Sequence, residues 1–451
     1  MKLAASSYGL TDPNSFSHRK YWALAFPLII SGISTPIIGA VDTAVVGRLP
    51  DPSAIGGVAI GAVIFNTMYW LLGFLRVSTS GFTAQAIGAN NEKETMLSLL
   101  RPMLIALIFG LFFIMFQKPI LQVALSLFGG GEAVTSFAAS YFTIRIWGAP
   151  FILLSYVFIG WLMGKGKVGL TLATQITMNL LNILLSILFV IGFEMGVEGV
   201  AYATLIAEVS AVLFGGWFIY RTNRGRVSPI TWRMVVESQP LIRMLRINRD
   251  LFLRTVCLLI MTGIFTAQGA KMGEVTLAAN AILLQIHYIM AYLIGGFANA
   301  SSIIVGKSIG GNNPFLFKRA CQLSAQWGFC TAVLLSMGML LFGEVAVKVF
   351  TTIDEVRGTV NDYLLWMVIF PIAGFWGLQL EGIFSGATDA KSIRDSISFA
   401  LILFLVAIWV LVPAFQNHGV WVAFLLFSLA RSIFLSLYIP QLKRLSFSLS
   451  K

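Results

Sequence analysis

Long apolar stretches divided by short polar segments dominate the pattern along the chain. Each stretch is long enough for a helix to cross a hydrocarbon core of about 30 Å. The stretches lack the two-residue alternation of a membrane β-barrel, so helices must satisfy the backbone in lipid. The pattern predicts an all-α polytopic membrane protein with twelve transmembrane helices near residues 20–47, 54–87, 96–126, 134–163, 168–191, 196–220, 248–271, 275–309, 317–350, 357–385, 393–413 and 418–440.

Composition agrees with this class. Hydrophobic residues make up 57% of the 451 residues and charged residues 11%, against roughly 25% charged in soluble domains. The cysteines, Cys257, Cys321 and Cys330, lie in apolar segments without metal-ligand spacing, and the three histidines are scattered. The sequence therefore predicts no metal site, no cofactor and no disulfide framework.

Lysine and arginine set the expected orientation. With the N-terminus inside, the outer loops hold only Arg48, Lys118, Lys271, Lys348 and Arg357, and the inner segments hold most of the rest. This asymmetry predicts that both termini are cytoplasmic. It also accounts for the net charge of +12 without nucleic-acid binding. The first seventeen residues are typical of neither a signal nor a transit peptide, and we expect a multi-pass monomer in the bacterial inner membrane.

The chain repeats itself. The segment 53–91 aligns without gaps on 275–313, an offset of 222 residues, and the same offset pairs Tyr141/Tyr363, Gly160/Gly382 and Gly164/Gly386. Six spans is an even number, so both halves run in the same sense, as in transporters built from parallel repeats. We predict two pseudo-symmetric six-helix lobes, 1–220 and 248–451, joined by a cytoplasmic linker over 221–247.

Asp42 is a lone carboxylate near the end of the apolar run 22–46. A charge at the centre of a membrane helix costs roughly 2.5–3.5 kcal/mol on insertion scales and commonly marks a proton or ion pathway. The alternative is a hydrated carboxylate at the outer interface, paired with Arg48. In the second half, with one residue of slack in the loop Pro50–Ser53, Phe265 stands where Asp42 stands in the first, so we expect a coupling site in the N-terminal lobe alone.

Neutral polar residues accompany this acid. The fifth span carries Gln175, Asn179, Asn182 and Ser186 at spacings of four, three and four, which places them on one helical face. The sixth span adds Thr204 and Glu208, and the first adds Ser31 and Thr35. Amides and hydroxyls can hold a carboxyl group in either protonation state. The alternative is interhelical hydrogen bonding alone, worth about 0.6 kcal/mol per bond.

Two prolines and four charged residues complete the candidates. Pro27 and Pro36 each remove a backbone hydrogen bond from the first span, which suggests a helix that bends as Asp42 titrates or, alternatively, a static kink. Arg76 and Arg145 are interpreted as structurally paired, snorkelling or lipid-binding. Glu208 is a candidate second protonatable group, and Glu381 is interpreted as structural.

The sequence contains no complete motif for nucleotide binding or catalysis. Gly306-Lys307-Ser308 has the ending of a phosphate loop, but Ser301 stands where the first glycine is required. The soluble segments are too short for a nucleotide-binding domain. We expect no catalytic residues and no enzyme.

Four runs carry a family resemblance: AVDTAVVGRL (40–49), GFLRVSTSGFTAQAIGANN (73–91), APFILLSYVFIGWLMGKGK (149–167) and GVEGVAYATLIAE (196–208). They resemble the multidrug and toxic compound extrusion (MATE) family, in its DinF-like branch. The resemblance implies an antiporter that expels cationic or amphiphilic drugs, driven by inward H⁺ or Na⁺. It matches Asp42, Asn182, Thr204 and Pro27 to the family's first-span acid, fifth-span Asn, sixth-span Thr and first-span Pro.

One departure bears on the coupling ion. The family's second N-lobe acid is Ser186 here, which favours H⁺ over Na⁺ as the coupling ion. We expect Asp42, Asn179, Asn182, Thr204 and Glu208 to couple the ion. The cavity residues are expected to be Gln175, Ser186, Tyr141 and Thr35. The alternatives are a Na⁺-coupled exporter, a flippase for a lipid-linked or amphiphilic metabolite with headgroup contacts from Arg76 and Arg145, and a non-transporting receptor or sensor.

Overall fold

A computed structural model describes residues 16–49, 51–128, 131–224 and 229–447, apart from the side chains of residues 35–44 and 128. All regular structure in these ranges is helical. The helices are α1 (His18–Val46), α2 (Pro52–Leu71), α3 (Phe74–Gly88), α4 (Glu92–Met115), α5 (Gln117–Phe128), α6 (Glu132–Arg145), α7 (Ala149–Gly164), α8 (Val168–Ile187), α9 (Gly196–Asn223), α10 (Trp232–Val235), α11 (Ser238–Lys271), α12 (Glu274–Gly310), α13 (Pro314–Phe350), α14 (Asp354–Gly386), α15 (Ala390–Leu437) and α16 (Ile439–Phe447).

The predicted membrane-spanning segments coincide with these helices. Ten segments of the described chain are long and apolar enough to cross a membrane. One of them, Ala390–Phe447, contains both of the last two predicted spans, which meet at Gln416, where the backbone leaves helical geometry with φ of 49°. Helix α1 covers the first predicted span except for its last residue. The prediction of an all-α polytopic membrane protein is confirmed.

Three predicted spans are interrupted rather than continuous. The first break separates α2 from α3 at Leu72 and Gly73, and the second separates α4 from α5 at Phe116. In the third, a 3₁₀ turn over Ile146–Gly148 precedes α7. Proline explains two of these breaks, because Pro119 and Pro150 lie in the first turn of the following helix, where a missing N–H is tolerated.

The backbone repeats at the offset predicted from sequence. The described non-glycine residues with positive φ are Asn90, Glu194, Asn312, Thr388 and Gln416. Asn90 and Asn312, with φ of 52° and 48°, are 222 residues apart, as are Glu194 and Gln416, with φ of 53° and 49°. Thr388 has its counterpart in Gly166, with φ of 58° and 78° respectively. Three turns of the first repeat thus recur in the second.

Glycine packing repeats in the same way. A Cβ atom on Gly160 would collide with the backbone of Arg76, and one on Gly382 would collide with the backbone of Ala298, 222 residues beyond Arg76. The next helical turn repeats the arrangement, because Gly164 meets Ser80 and Gly386 meets Ser302. The α3–α7 pair and the α12–α14 pair are therefore the same close helix contact formed twice.

The chain divides into two compact units that differ from the predicted lobes at two places. One unit contains Ile33–Met244, and the other contains the chain up to Gly32 together with Leu245 onward. The start of α1 belongs to the second of these because the Tyr21 hydroxyl donates to the Phe297 carbonyl at 3.0 Å. The linker segment up to Met244 belongs to the first, where Arg101 Nη2 donates to the Met234 carbonyl at 3.2 Å. The boundary falls within α1.

Candidate functional site

A line of buried polar side chains lies inside the unit Ile33–Met244. Asn179, Asn182 and Ser186 of α8 are buried, and Gln175, one turn earlier, is half-buried. The Asn182 amide donates to Thr204 Oγ1 of α9 at 3.1 Å, and that hydroxyl donates to the Val200 carbonyl at 3.0 Å. The spacing seen in the sequence therefore becomes one buried face that contacts the neighbouring helix.

The same face also contacts α1. The Asn179 amide donates to Ser34 Oγ at 3.0 Å. Asp42 follows Ser34 by eight residues in the same helix, about 12 Å along its axis. The side chains of Asp42, Thr35 and Pro36 lie outside the described residues.

Three oxygen atoms of this face have no hydrogen-bond partner among the described residues: Oδ1 of Asn179, Oδ1 of Asn182 and Oγ of Ser186. A buried polar atom without a partner costs roughly 1–3 kcal/mol. The amide N–H groups are used between helices, and the carbonyl oxygens remain as acceptors. Such acceptors suit a protonated carboxyl group, a water molecule or a small cation.

The second repeat has no such face. At the same offset of 222 residues, Gln175, Asn179, Asn182 and Ser186 correspond to four buried apolar residues, Ile397, Leu401, Phe404 and Ile408. The helix scaffold thus packs well with apolar side chains at all four positions. The polar face is a local addition to one repeat and is not a requirement of the fold.

A buried ion pair lies near this face. Glu208 Oε1 lies 3.6 Å from Arg145 Nη2, and both side chains are largely buried. Arg145 Nη1 donates to the Tyr141 hydroxyl at 2.9 Å, and its Cζ lies 4.6 Å from the centre of the Phe65 ring. The structure therefore joins Glu208 and Tyr141 through Arg145, for which structural pairing was one interpretation.

The remaining candidates lie elsewhere. Pro27 is half-buried within the continuous helix α1, two residues before Ile29, which contacts Gly296 closely. Glu381 accepts from Arg254 and, at 2.6 Å, from Arg431 Nη2, so it is an ion-paired residue of the other unit. We did not predict these two arginine partners, because they come from helices distant in the sequence.

The other unit contains a cavity of about 190 Å³. Its lining includes Phe265 and Thr266, the repeat counterparts of Asp42 and Thr43, together with Asn280 and Tyr288. The Asn280 and Asn417 amides donate to each other at 2.8 and 3.0 Å, and Trp421 Nε1 donates to Asn280 Oδ1 at 3.0 Å. No group of three His, Cys, Asp or Glu side chains that could hold a metal ion occurs in the described part of the chain.

Two parallel repeats of membrane helices, one of which carries the buried polar face of α8, are typical of a two-lobe membrane transporter. The MatE family model matches residues 27–188 and 251–411. The chain is 35% identical over 429 residues to "DNA damage-inducible protein F" of Escherichia coli (strain K12), covering 93% of this chain and 91% of that protein. The chain belongs to the MATE family of multidrug efflux transporters, a family of multi-pass membrane proteins whose members bind small-molecule drugs and are not enzymes.

Solved structures agree on the fold. "Crystal structure of MATE in the bent conformation" superposes with a TM-score of 0.87 at 22% identity, covering 96% of this chain and 97% of that one. "Crystal structure of MATE in the straight conformation" superposes with a TM-score of 0.85 at 21% identity, with the same coverage.

Proposed function

We propose that this protein exports cationic or amphiphilic compounds across the bacterial inner membrane in exchange for inward-moving protons, with Asp42 as the proton carrier. The observation that carries the proposal is the buried polar face of α8. It supplies acceptor oxygens that have no partner among the described side chains, and the second repeat has apolar residues at the same positions. The protein is proposed to work as a monomer with both termini in the cytoplasm.

The mechanism is alternating access. With the cavity open to the outside, Asp42 binds a proton and the substrate leaves. After the cavity opens to the cytoplasm, Asp42 releases the proton as new substrate binds. A ligand shifts such an equilibrium only through different affinities for the two states. Proton and substrate should therefore compete, each lowering the affinity for the other by the same factor.

The neutral partners fit this role. Asn179, Asn182 and Thr204 offer amide and hydroxyl groups that can donate to a carboxylate or accept from a protonated carboxyl. Ser186 supplies a hydroxyl where the family's second acid stands. The absence of an acid at position 186 favours proton transfer, because a tightly held metal cation usually takes several oxygen ligands that include carboxylates.

We further propose that α1 bends during the cycle. Pro27 lies in the half of α1 that packs with Leu245 onward, and Asp42 lies in the other half. A proline lowers the cost of bending because its position lacks a backbone hydrogen bond. The two solved MATE structures named above are described as bent and straight, which is consistent with movement of this kind.

Efflux of ethidium or norfloxacin from proteoliposomes tests the proposal, with a proton gradient and a sodium gradient imposed separately. We expect efflux with the proton gradient alone, and its loss in Asp42→Asn. Asp354→Asn is the matched control, because Asp354 is an exposed carboxylate whose ion pair among the described residues is with Arg357 of the next turn, at 3.2 Å. Normal efflux in Asp42→Asn would contradict the role of Asp42. Efflux driven by sodium alone would favour the Na⁺-coupled exporter, and no efflux with either gradient would favour a lipid or metabolite substrate.

A further inference from the structure

The polar line of the unit Ile33–Met244 continues beyond the face described above. Glu208 follows Thr204 by one helical turn on α9, so the two side chains lie on the same face of the helix. Thr204 binds Asn182, and Glu208 approaches Arg145 of α6. A second acidic side chain thus lies next to the predicted coupling site, on a helix other than that of Asp42.

Arg145 has several partners that do not depend on Glu208. Its Nη1 donates to the Tyr141 hydroxyl at 2.9 Å. Its Cζ lies 4.6 Å from the ring centre of Phe65, 5.9 Å from that of Tyr69 and 5.6 Å from that of Tyr141. Aromatic faces within about 6 Å attract a guanidinium group, and more strongly away from water. The cation is therefore stabilised whether or not Glu208 is ionised.

The carboxylate of Glu208 has much weaker support. Its Oε1 lies 3.6 Å from Arg145 Nη2, which is beyond hydrogen-bond distance. Its Oε2 is buried, lies against Gly148 and has no hydrogen-bond partner among the described residues. An ionised carboxylate normally accepts several hydrogen bonds. The imbalance between a well-supported cation and a poorly supported anion makes Glu208 the member of the pair that can gain and lose its charge.

The second repeat indicates that this pair is not needed for packing. At the offset of 222 residues, Arg145 corresponds to Met367 and Glu208 to Ala430, and both of these residues are buried. Tyr141 corresponds to Tyr363. The same helix arrangement therefore forms in this chain without any charge at either position, so a function is the better explanation for a buried charged pair.

We propose that Glu208 is a second proton-carrying group of this transporter, with Arg145 as the fixed cation beside it. A proton from water binds a carboxylate oxygen of Glu208 and forms an O–H bond, and the same bond breaks on release. Arg145 keeps its protons throughout. The inference rests on the proposed proton-coupled export and adds one proton to each transport cycle.

The neighbouring ionisable groups are few. Arg145 of α6 and Tyr69 of α2 are the electrostatic neighbours of Glu208. Tyr141 of α6 interacts with Arg145 and Tyr69, and Tyr156 of α7 interacts with Tyr69. Helix α8 carries no ionisable side chain. Arg145 is therefore the one described charged group that acts on Glu208, which makes the pair accessible to simple variants.

Infrared difference spectroscopy of the reconstituted full-length protein during a pH step tests the proposal without any substrate, because the C=O stretch appears only when a carboxyl group is protonated. We expect Glu208→Gln to lose one carboxyl band that Asp42→Asn retains. The conservative variant keeps the size of the side chain. If it does not fold, Arg145→Met with Glu208→Ala, the pair of residues that the second repeat carries, should lose the same band.

Replacement of Arg145 alone changes the pH at which the Glu208 carboxyl band forms. A pair with a purely structural role would show no such change. In Arg145→Met the Glu208 band should form at higher pH, because loss of a nearby cation favours the neutral carboxyl. A spectrum of Glu208→Gln identical to that of the wild type overturns the inference. If Asp42→Asn loses no band and Glu208→Gln loses one, the proposed role of Asp42 fails and that of Glu208 stands.

Discussion

Asn182→Leu separates coupling from simple helix–helix hydrogen bonding. The substitution keeps the size of the side chain and removes both polar atoms of the amide. The donor forms one bond, to Thr204 at 3.1 Å, and the acceptor Oδ1 has no described partner. Thr204 keeps its own bond to the Val200 carbonyl. The change therefore removes one satisfied and one unsatisfied group from the same site.

The magnitudes of these two effects oppose each other. Loss of the interhelical bond lowers the free energy of unfolding by about 0.6 kcal/mol. Removal of a buried acceptor without a partner raises it by roughly 1–3 kcal/mol. We expect stability to lie between a loss of about 0.6 kcal/mol and a modest gain. If the amide instead serves a charged Asp42, its loss costs roughly 1.5–3 kcal/mol of coupling, or about 10- to 100-fold in proton-driven efflux.

Asn280→Leu is the matched control, because it removes a buried asparagine from the other repeat. Asn280 exchanges two bonds with Asn417 and accepts a third from Trp421. Loss of the three bonds, which leaves those partners buried without a substitute, should destabilise the protein by roughly 2–4 kcal/mol. Efflux per folded molecule should stay near that of the wild type.

Thermal unfolding in detergent and proton-driven efflux from proteoliposomes, normalised to folded protein, measure the two quantities. The expected pattern is normal stability with little efflux for Asn182→Leu and the reverse for Asn280→Leu. Wild-type efflux in Asn182→Leu, accompanied by a clear loss of stability, would refute our reasoning. The polar face of α8 would then be interhelical hydrogen bonding alone.

Two further outcomes follow from the backbone of the helices. Pro27→Ala should lower efflux while raising the stability of α1, because the restored hydrogen bond stiffens the helix. Pro102→Ala, a proline inside α4, is the control. Full efflux in Pro27→Ala would remove bending at Pro27 from the mechanism. Gly382→Ala should destabilise the protein by about 1–3 kcal/mol, because the added methyl group meets the backbone of Ala298. Gly338→Ala should leave stability unchanged or slightly higher, because nothing lies within 4 Å of a Cβ atom there, and equal melting temperatures for the two glycine variants would contradict the predicted contact.

Most of the fold could be predicted from the sequence because the bilayer imposes a simple rule. Apolar runs long enough to cross the bilayer must form helices. The internal repeat can be detected from identical residues at a constant offset, such as Gly160 and Gly382. The break between α2 and α3 at Gly73 lies within a predicted span, and the non-helical backbone at Gln416 lies between two predicted spans. Neither was expected. They depend on local backbone geometry, which apolar composition does not specify.

The candidate site was predictable to the extent that it lies on one helix. The spacing of Asn179, Asn182 and Ser186 specifies a common face because a helix turns every 3.6 residues. Their contact with Thr204 and Ser34 could not be derived, because it requires the order and rotation of three helices in space.

The sequence by itself determined that this protein is a two-repeat helical membrane protein with the stripe Asn179, Asn182 and Ser186 in one repeat only, because hydropathy, helical period and repeat offset are properties of the linear chain. Only the tertiary structure decided which of these residues meet. Glu208 and Arg145 are 63 positions apart and lie on different helices, so their pairing depends on packing rather than on sequence spacing. The same holds for the assignment of the start of α1 to the unit that contains Phe297, which rests on interhelical contacts of Tyr21.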